Sequence, residues 1–193
     1  GGSVTLTSSA GTTYLWSTGA TTSSISATTS GSYTIQVTNA IGCQSAASAA
    51  TVVTVNALPA TPTITAGGPT TFCTGGSVTL TSSAGTSYLW STGATTASIS
   101  ATTAGSYTVQ VTNAGGCQSA ASAATVVTVN SLPAAPTITA GGSTTFCAGG
   151  SVTLTSSAGT GYLWSTGATT ASINVTTGGS YTVQVTNAGG CQS

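Results

Sequence analysis

A 45-residue block, GGSVTLTSSAGTSYLWSTGATTASISATTAGSYTVQVTNAGGCQS, fills positions 75–119 and recurs at a constant offset of 74 residues. The copy at 1–45 departs from it at five positions, with Thr13, Ser23, Ser30, Ile35 and Ile41 replacing Ser87, Ala97, Ala104, Val109 and Gly115. The copy at 149–193 departs at four, with Gly161, Asn174, Val175 and Gly178 replacing Ser87, Ser100, Ala101 and Ala104. A 29-residue connector separates the copies, at 46–74 and again at 120–148. Self-similarity on this scale means an array of like supersecondary units. Repetition points to reach and multiplicity rather than to one active centre.

Inside the block the apolar residues alternate. Val4 and Leu6 face one side while Thr5 and Thr7 face the other, and Tyr33, Ile35 and Val37 share a face. That period of two marks half-buried strands. In the middle unit the pattern predicts strands over 62–66, 76–82, 87–91, 97–101, 106–113 and 124–129. Short strands at roughly ten-residue spacing, without helical periodicity, read as an all-β sandwich. Leu58-Pro59 and Pro62 mark a linker, because proline cannot donate to a strand ladder and stiffens an extended segment. The expected units are therefore 1–57, 58–131 and 132–193. The middle one is complete, the first lacks its opening strand, and the third lacks its closing strand, the counterpart of Thr125–Val129. The numbered chain reads as a window cut from a longer array. Disorder is the competing reading for a chain so rich in Gly, Ser, Thr and Ala, but each unit carries one Trp and two Tyr, which disordered segments usually lack.

The 193 residues include no Lys, Arg, Asp, Glu or His, whereas ordinary domains are about one quarter charged. Phosphate binding depends on Lys and Arg, so nucleic acid is excluded as a partner class, and so is attraction to an acidic membrane surface. No apolar run approaches the roughly 20 residues that cross a bilayer. General acid–base chemistry loses His, carboxylate and Lys together, and a Ser or Cys nucleophile has no base to activate it. Hard cations find no carboxylate, and zinc finds neither CxxC spacing nor a His. The expectation is a non-enzyme with no cofactor and no metal. A surface without net charge also lacks the self-repulsion that keeps molecules apart, so the chain should associate with copies of itself.

Four motifs at constant spacing carry a family likeness: C-x-G-G-S-V-T-L-T, Y-L-W-S-x-G-A-T-T, G-S-Y-T-V-Q-V-T-N and G-C-Q-S. In this order they resemble the immunoglobulin-like repeats of large secreted Bacteroidota surface proteins of the adhesin or gliding-associated type. The resemblance implies tandem immunoglobulin-like β-sandwich domains outside the cell. It assigns Trp16, Trp90 and Trp164 to a core position on the third strand, a sugar-stacking role being the alternative for an aromatic face. It assigns Tyr33, Tyr107 and Tyr181 to a tyrosine corner. Tyr14, Tyr88 and Tyr162, just ahead of Leu-Trp, are the aromatic candidates for a glycan contact.

Two cysteines per period, in a chain of secreted type, point to disulfides. Two connectivities are open. One pairs within a repeat, Cys73 with Cys117 and Cys147 with Cys191. The other pairs neighbours, Cys73 with Cys191, and leaves Cys43, Cys117 and Cys147 to partners outside the numbered residues. Cys73 precedes the second strand of its unit and Cys117 follows the penultimate one. In an immunoglobulin-like topology these strands run the same way, so the two cysteines sit at opposite ends, about 20 Å apart. A disulfide needs Cα atoms within about 7 Å. The bridge between repeats is therefore preferred, with pairing within a repeat as the alternative.

Asn174-Val175-Thr176 forms a sequon that its counterparts at Ser26 and Ser100 lack, and it reads as incidental. Exposed Ser and Thr could carry O-linked sugars that keep an uncharged surface hydrated. These features together lead to the expectation of an extracellular structural protein whose repeats assemble into a fibre or filament. The alternatives are the stalk of a cell-surface adhesin and, less favoured, a glycan-binding module.

Overall fold

The computed structural model describes residues 2–193 and is all-β, with nineteen strands and no helix among the described residues. The chain divides into two compact units, Gly1–Leu58 and Pro59–Ser193. The expected boundary near 131/132 lies inside the second of these.

The first unit contains β1 (Val4–Thr7), β2 (Thr13–Trp16), β3 (Ser24–Ala27), β4 (Gly31–Tyr33), β5 (Ile35–Thr38) and β6 (Thr51–Val53). They form three antiparallel pairs, β1 with β3, β2 with β5 and β4 with β6. Trp16, Ala27 and Tyr33 are buried between them.

The second unit begins with β7 (Ile64–Ala66), β8 (Thr71–Cys73), β9 (Val78–Ser82), β10 (Ser87–Trp90), β11 (Ser98–Ala101), β12 (Gly105–Tyr107), β13 (Val109–Thr112) and β14 (Thr125–Asn130). β11, β9 and β7 form one antiparallel sheet. β12, β14 and β8 form another, and β10 pairs with β13. β12 and β13 are one run of chain broken at Thr108, whose carbonyl accepts from the Ser91 N–H (2.9 Å) and whose N–H donates to Ser91 Oγ (3.2 Å). The break lets the run serve β14 on one stretch and β10 on the next. β8 runs parallel to β14, with Thr71, Phe72 and Cys73 opposite Thr128, Val129 and Asn130. The two layers close over Val78, Leu80, Trp90, Ala101, Tyr107, Val109 and Val127, with Ile64, Phe72 and Val129 packed at the margin. This is an arrangement consistent with a β-sandwich. Full burial of each such aliphatic or aromatic side chain contributes about 1.5–3 kcal/mol.

The rest of the second unit repeats the plan with fewer strands: β15 (Ile138–Ala140), β16 (Val152–Ser156), β17 (Gly161–Trp164), β18 (Ser172–Val175) and β19 (Val183–Thr186). β15, β16 and β18 form one sheet, and β17 pairs with β19. Residues 145–147 and 179–181, the counterparts of β8 and β12, carry no strand pairing. The core here is Val152, Leu154, Trp164 and Val175, with Phe146 and Tyr181 only partly covered.

The segment after each penultimate strand is more ordered than a polar loop. Ser119 and Ser122 are buried, and their Oγ atoms accept from the N–H groups of Val111 (3.0 Å) and Val109 (3.1 Å). Their own N–H groups donate back to the carbonyls of the same two valines, each at 2.9 Å. Two serines thus satisfy the edge of β13 where a further strand would otherwise be required.

Candidate functional site

The repeat places its aromatic residues at identical positions in each copy. Trp90 is 2 % exposed, and its indole N–H donates to the Thr96 carbonyl at 2.8 Å. Trp16 and Trp164 do the same with Thr22 and Thr170. A ring enclosed in this way, with its one polar atom satisfied, is a core element and offers no face to a sugar. The Tyr33, Tyr107 and Tyr181 hydroxyls donate to the carbonyls four residues upstream, Thr29, Thr103 and Thr177, at 2.8–2.9 Å. Each fastens the corner before a late strand.

Tyr14, Tyr88 and Tyr162 are half-buried. Each hydroxyl accepts from a turn N–H, that of Gly11 (3.3 Å), Gly85 (3.3 Å) or Gly159 (3.1 Å). The side chains between these tyrosines and the tryptophans point the other way. Leu15, Leu89 and Leu163 are 43, 43 and 44 % exposed. Leu89 lies across from Gln110 in the β10–β13 ladder, and Gln110 in turn accepts from Gln118 Nε2 at 3.3 Å. The result is an outward Leu–Gln patch that recurs once per repeat. Alternation alone, with Trp in and so Leu out, was the signal that could have found it.

The cysteines define the junction between the second and third copies of the block. Cys73 and Cys191 form a disulfide with Cα atoms 5.7 Å apart and 118 residues of separation. The pairings within a repeat, Cys73 with Cys117 and Cys147 with Cys191, are not formed. Cys43 and Cys147 are exposed thiols, and Cys117 is half-buried.

Local chemistry prepares the bridge. Asn187 Oδ1 accepts from the Gly189 and Cys191 N–H groups, both at 3.0 Å, and so folds the 187–191 turn. Gly190 adopts φ +77° within it, a conformation that strains any residue with a Cβ. The same asparagine uses Nδ2 to reach back 2.7 Å to the Ser131 carbonyl. Asn130 reciprocates, its Nδ2 donating to the Gly189 carbonyl at 3.1 Å. The Asn130 carbonyl meanwhile accepts from Thr74 N–H (2.9 Å) and Thr74 Oγ1 (3.1 Å) beside Cys73. A Cβ added at Gly189 would lie 2.9 Å from Asn130 Cγ, so the approach is closed to larger residues. Two asparagines and a glycine dock the turn, and the disulfide fastens it.

Grooves lie beside two of the cores. In the third repeat, Phe146, Val152, Leu154, Val175 and Tyr181 line a groove of about 460 Å³. In the first unit a groove of about 510 Å³ runs past Leu6, Ser8, Trp16, Ile35 and Val37. The Ser8 hydroxyl beside it is buried without a hydrogen-bond partner, whereas its counterpart Ser82 donates to the Ser83 carbonyl at 3.0 Å.

Among the described residues no three His, Cys, Asp or Glu side chains gather where a metal would need them. No helix is long and apolar enough to cross a membrane. A disulfide, with no such helix, is compatible with a secreted or extracellular protein. Neither a protein-family model nor a curated protein matches the chain.

Proposed function

We propose that this chain is a non-enzymatic structural protein outside the cell, whose immunoglobulin-like repeats assemble with copies of themselves into a fibre or filament. The observation that supports it is the junction between the second and third copies of the block. There a disulfide, two asparagine clamps and a glycine contact join neighbours whose sequences are nearly the same. A contact written into the repeat itself is propagated by adding repeats, which is how helical assemblies grow. The outward Leu–Gln patches add a second set of equivalent surfaces. No charged side chain opposes their meeting.

Partners in this reading are further copies of the chain and, where Ser or Thr is modified, its own O-linked sugars. The stalk of an adhesin is the second reading, since the same junction also stiffens an isolated rod. Binding of glycans by the repeats is the third, with Tyr14, Tyr88 and Tyr162 as the contacts. Electron microscopy of the purified protein distinguishes them. Ordered fibres with a regular subunit repeat are expected, and separate rods that stay apart on concentration would refute the filament. If the repeats grip glycans, Tyr88→Ala abolishes affinity in a glycan-binding assay.

A further inference from the structure

We propose that Asn130 is the splint of the junction: it holds the Cys73 and Cys191 thiols side by side before they are joined, and so decides which disulfide this repetitive chain makes. The inference goes beyond the polymer reading and does not depend on it.

Repetition gives the chain a pairing problem. Cys43, Cys117 and Cys191 each sit in Gly-Cys-Gln-Ser, and Cys73 and Cys147 each follow Thr-Thr-Phe. Local sequence therefore does not tell one partner from another. Chain statistics point the wrong way, because the entropic cost of closing a loop grows with its length. Cys73 with Cys117 would close a far shorter loop than the 118-residue separation of the bridge that forms. Folded structure has to bring Cys73 and Cys191 together first.

Asn130 is placed to do this with its backbone and its side chain. In the parallel ladder of β14 with β8 it lies directly opposite Cys73. Its carbonyl accepts from the Thr74 N–H at 2.9 Å, which ties the chain just past Cys73 to the end of β14. The carboxamide reaches the other partner. Its Nδ2 donates to the Gly189 carbonyl at 3.1 Å, and a Cβ at Gly189 would lie 2.9 Å from both Asn130 Cγ and Nδ2. Cys191 Sγ lies 3.9 Å from the Asn130 carbonyl oxygen. The 187–191 turn is folded by its own Asn187, through local bonds to the Gly189 and Cys191 N–H groups, so it arrives preformed and Asn130 captures it. None of these contacts needs the bond between the sulfurs.

Burial sets the order of the chemistry. Cys191 is 1 % exposed, whereas Cys73 is only half-buried. A small disulfide oxidant such as oxidised glutathione therefore reaches Cys73 first. Exchange there forms a mixed disulfide and releases one small thiol. The Cys191 thiolate, held alongside, then attacks the Cys73 sulfur. The protein disulfide forms, the mixed disulfide breaks and the second small thiol leaves. The two protein thiols give up two electrons and two protons, and the oxidant carries them away as two thiols. This second step is intramolecular, so its rate depends on how well the thiols are positioned beforehand. Asn130 is thus a positioning residue for the closure of the bridge.

The test starts from the 193-residue chain, reduced with a phosphine under native conditions, freed of reductant and re-oxidised with oxidised glutathione. Pairs are read over time from chymotryptic peptides of alkylated, unreduced samples. The parent is expected to re-form Cys73–Cys191 in preference to every other pair. The same chain re-oxidised in urea should favour shorter loops such as Cys73–Cys117. Asn130→Asp keeps the size of the side chain but replaces the donor with an oxygen that repels the Gly189 carbonyl. It should slow formation of the bridge at least about tenfold and divert Cys73 to other partners. Gly189→Ala pushes the same carboxamide off the turn without touching either core, and should act in the same direction even where Asn130→Asp misfolds. Parent rate and parent pairing kept in both variants overturn the splint, even if the urea midpoint falls, because that is all a merely structural contact would change. A parent whose native pairs spread as widely as they do in urea overturns it too.

Discussion

Val78 and Val4 occupy the same place in the same block, yet Val78 is 3 % exposed and Val4 is 43 % exposed. The residues around them in sequence are nearly identical. What differs is company: β9 has β7 along its free edge, and β8 beside β14 closes the layer opposite, whereas β1 has β3 alone. Tyr107 and Tyr181 repeat the lesson. The first is buried at 6 % under β14, and the second, with no such strand, is only partly covered. Each 45-residue block thus specifies its strands, but the connector supplies the strands that finish the core.

Four experiments would break or sharpen that contrast. The largest effect is expected from removing the bridge. Cys73→Ser with Cys191→Ser opens a loop of 118 residues and should cost the second unit about 4–5 kcal/mol in the chain-entropy account, read as a lower urea midpoint. The Gly1–Leu58 unit should unfold where it did before. Next, Leu80→Ala, at a fully buried site, should cost about 3–5 kcal/mol. Leu6→Ala at the half-buried counterpart should cost roughly half as much, and equal losses measured by site-resolved amide exchange would contradict the difference in burial between the two cores.

Smaller again, Gly189→Ala pushes a methyl group against Asn130 and should loosen the 187–191 turn by about 1–2 kcal/mol. Ile41→Ala, at the counterpart that is 84 % exposed, should stay within about 0.5 kcal/mol. Exchange rates of the Cys191 and Cys43 amides report the two sites separately. The smallest effect is expected from the medium. With no Asp, Glu, His, Lys or Arg side chain, the unfolding midpoint should be flat from about pH 4 to pH 8 and insensitive to added sodium chloride up to roughly 0.2 M. A slope in either titration would point to charged modification of the chain.

Much of this was legible in the residues. Period-two alternation located the strands through Val78, Leu80, Tyr107 and Val109, whereas the core place of the tryptophans and the tyrosine corner came only as what the resemblance to immunoglobulin-like repeats implied. The preference for Cys73–Cys191 followed from strand direction, a property of the fold rather than of spacing. β8 escaped notice because Thr-Phe-Cys is three residues long, sits beside Gly75-Gly76, and gains its identity only from a partner more than fifty residues away. The break at Thr108 escaped because a run that changes partners keeps its alternation. The docking turn escaped too: Asn187 reads as an ordinary loop residue until its amide is seen to hold its own turn with one atom and the preceding repeat with the other.

The bridge has a mechanical consequence. When a load pulls on the two ends of the second unit, it enters at Pro59, follows the backbone to Cys73 and crosses the sulfurs directly to Cys191. Everything from Thr74 to Gly190, including nearly all of both cores, hangs from that shortcut as an unstressed bight. Those residues can melt under heat or denaturant, but tugging cannot reel them out. Extensibility between Pro59 and Cys191 is left to the short backbone run ahead of Cys73, so this stretch resists pulling by topology even though its individual sheets are small.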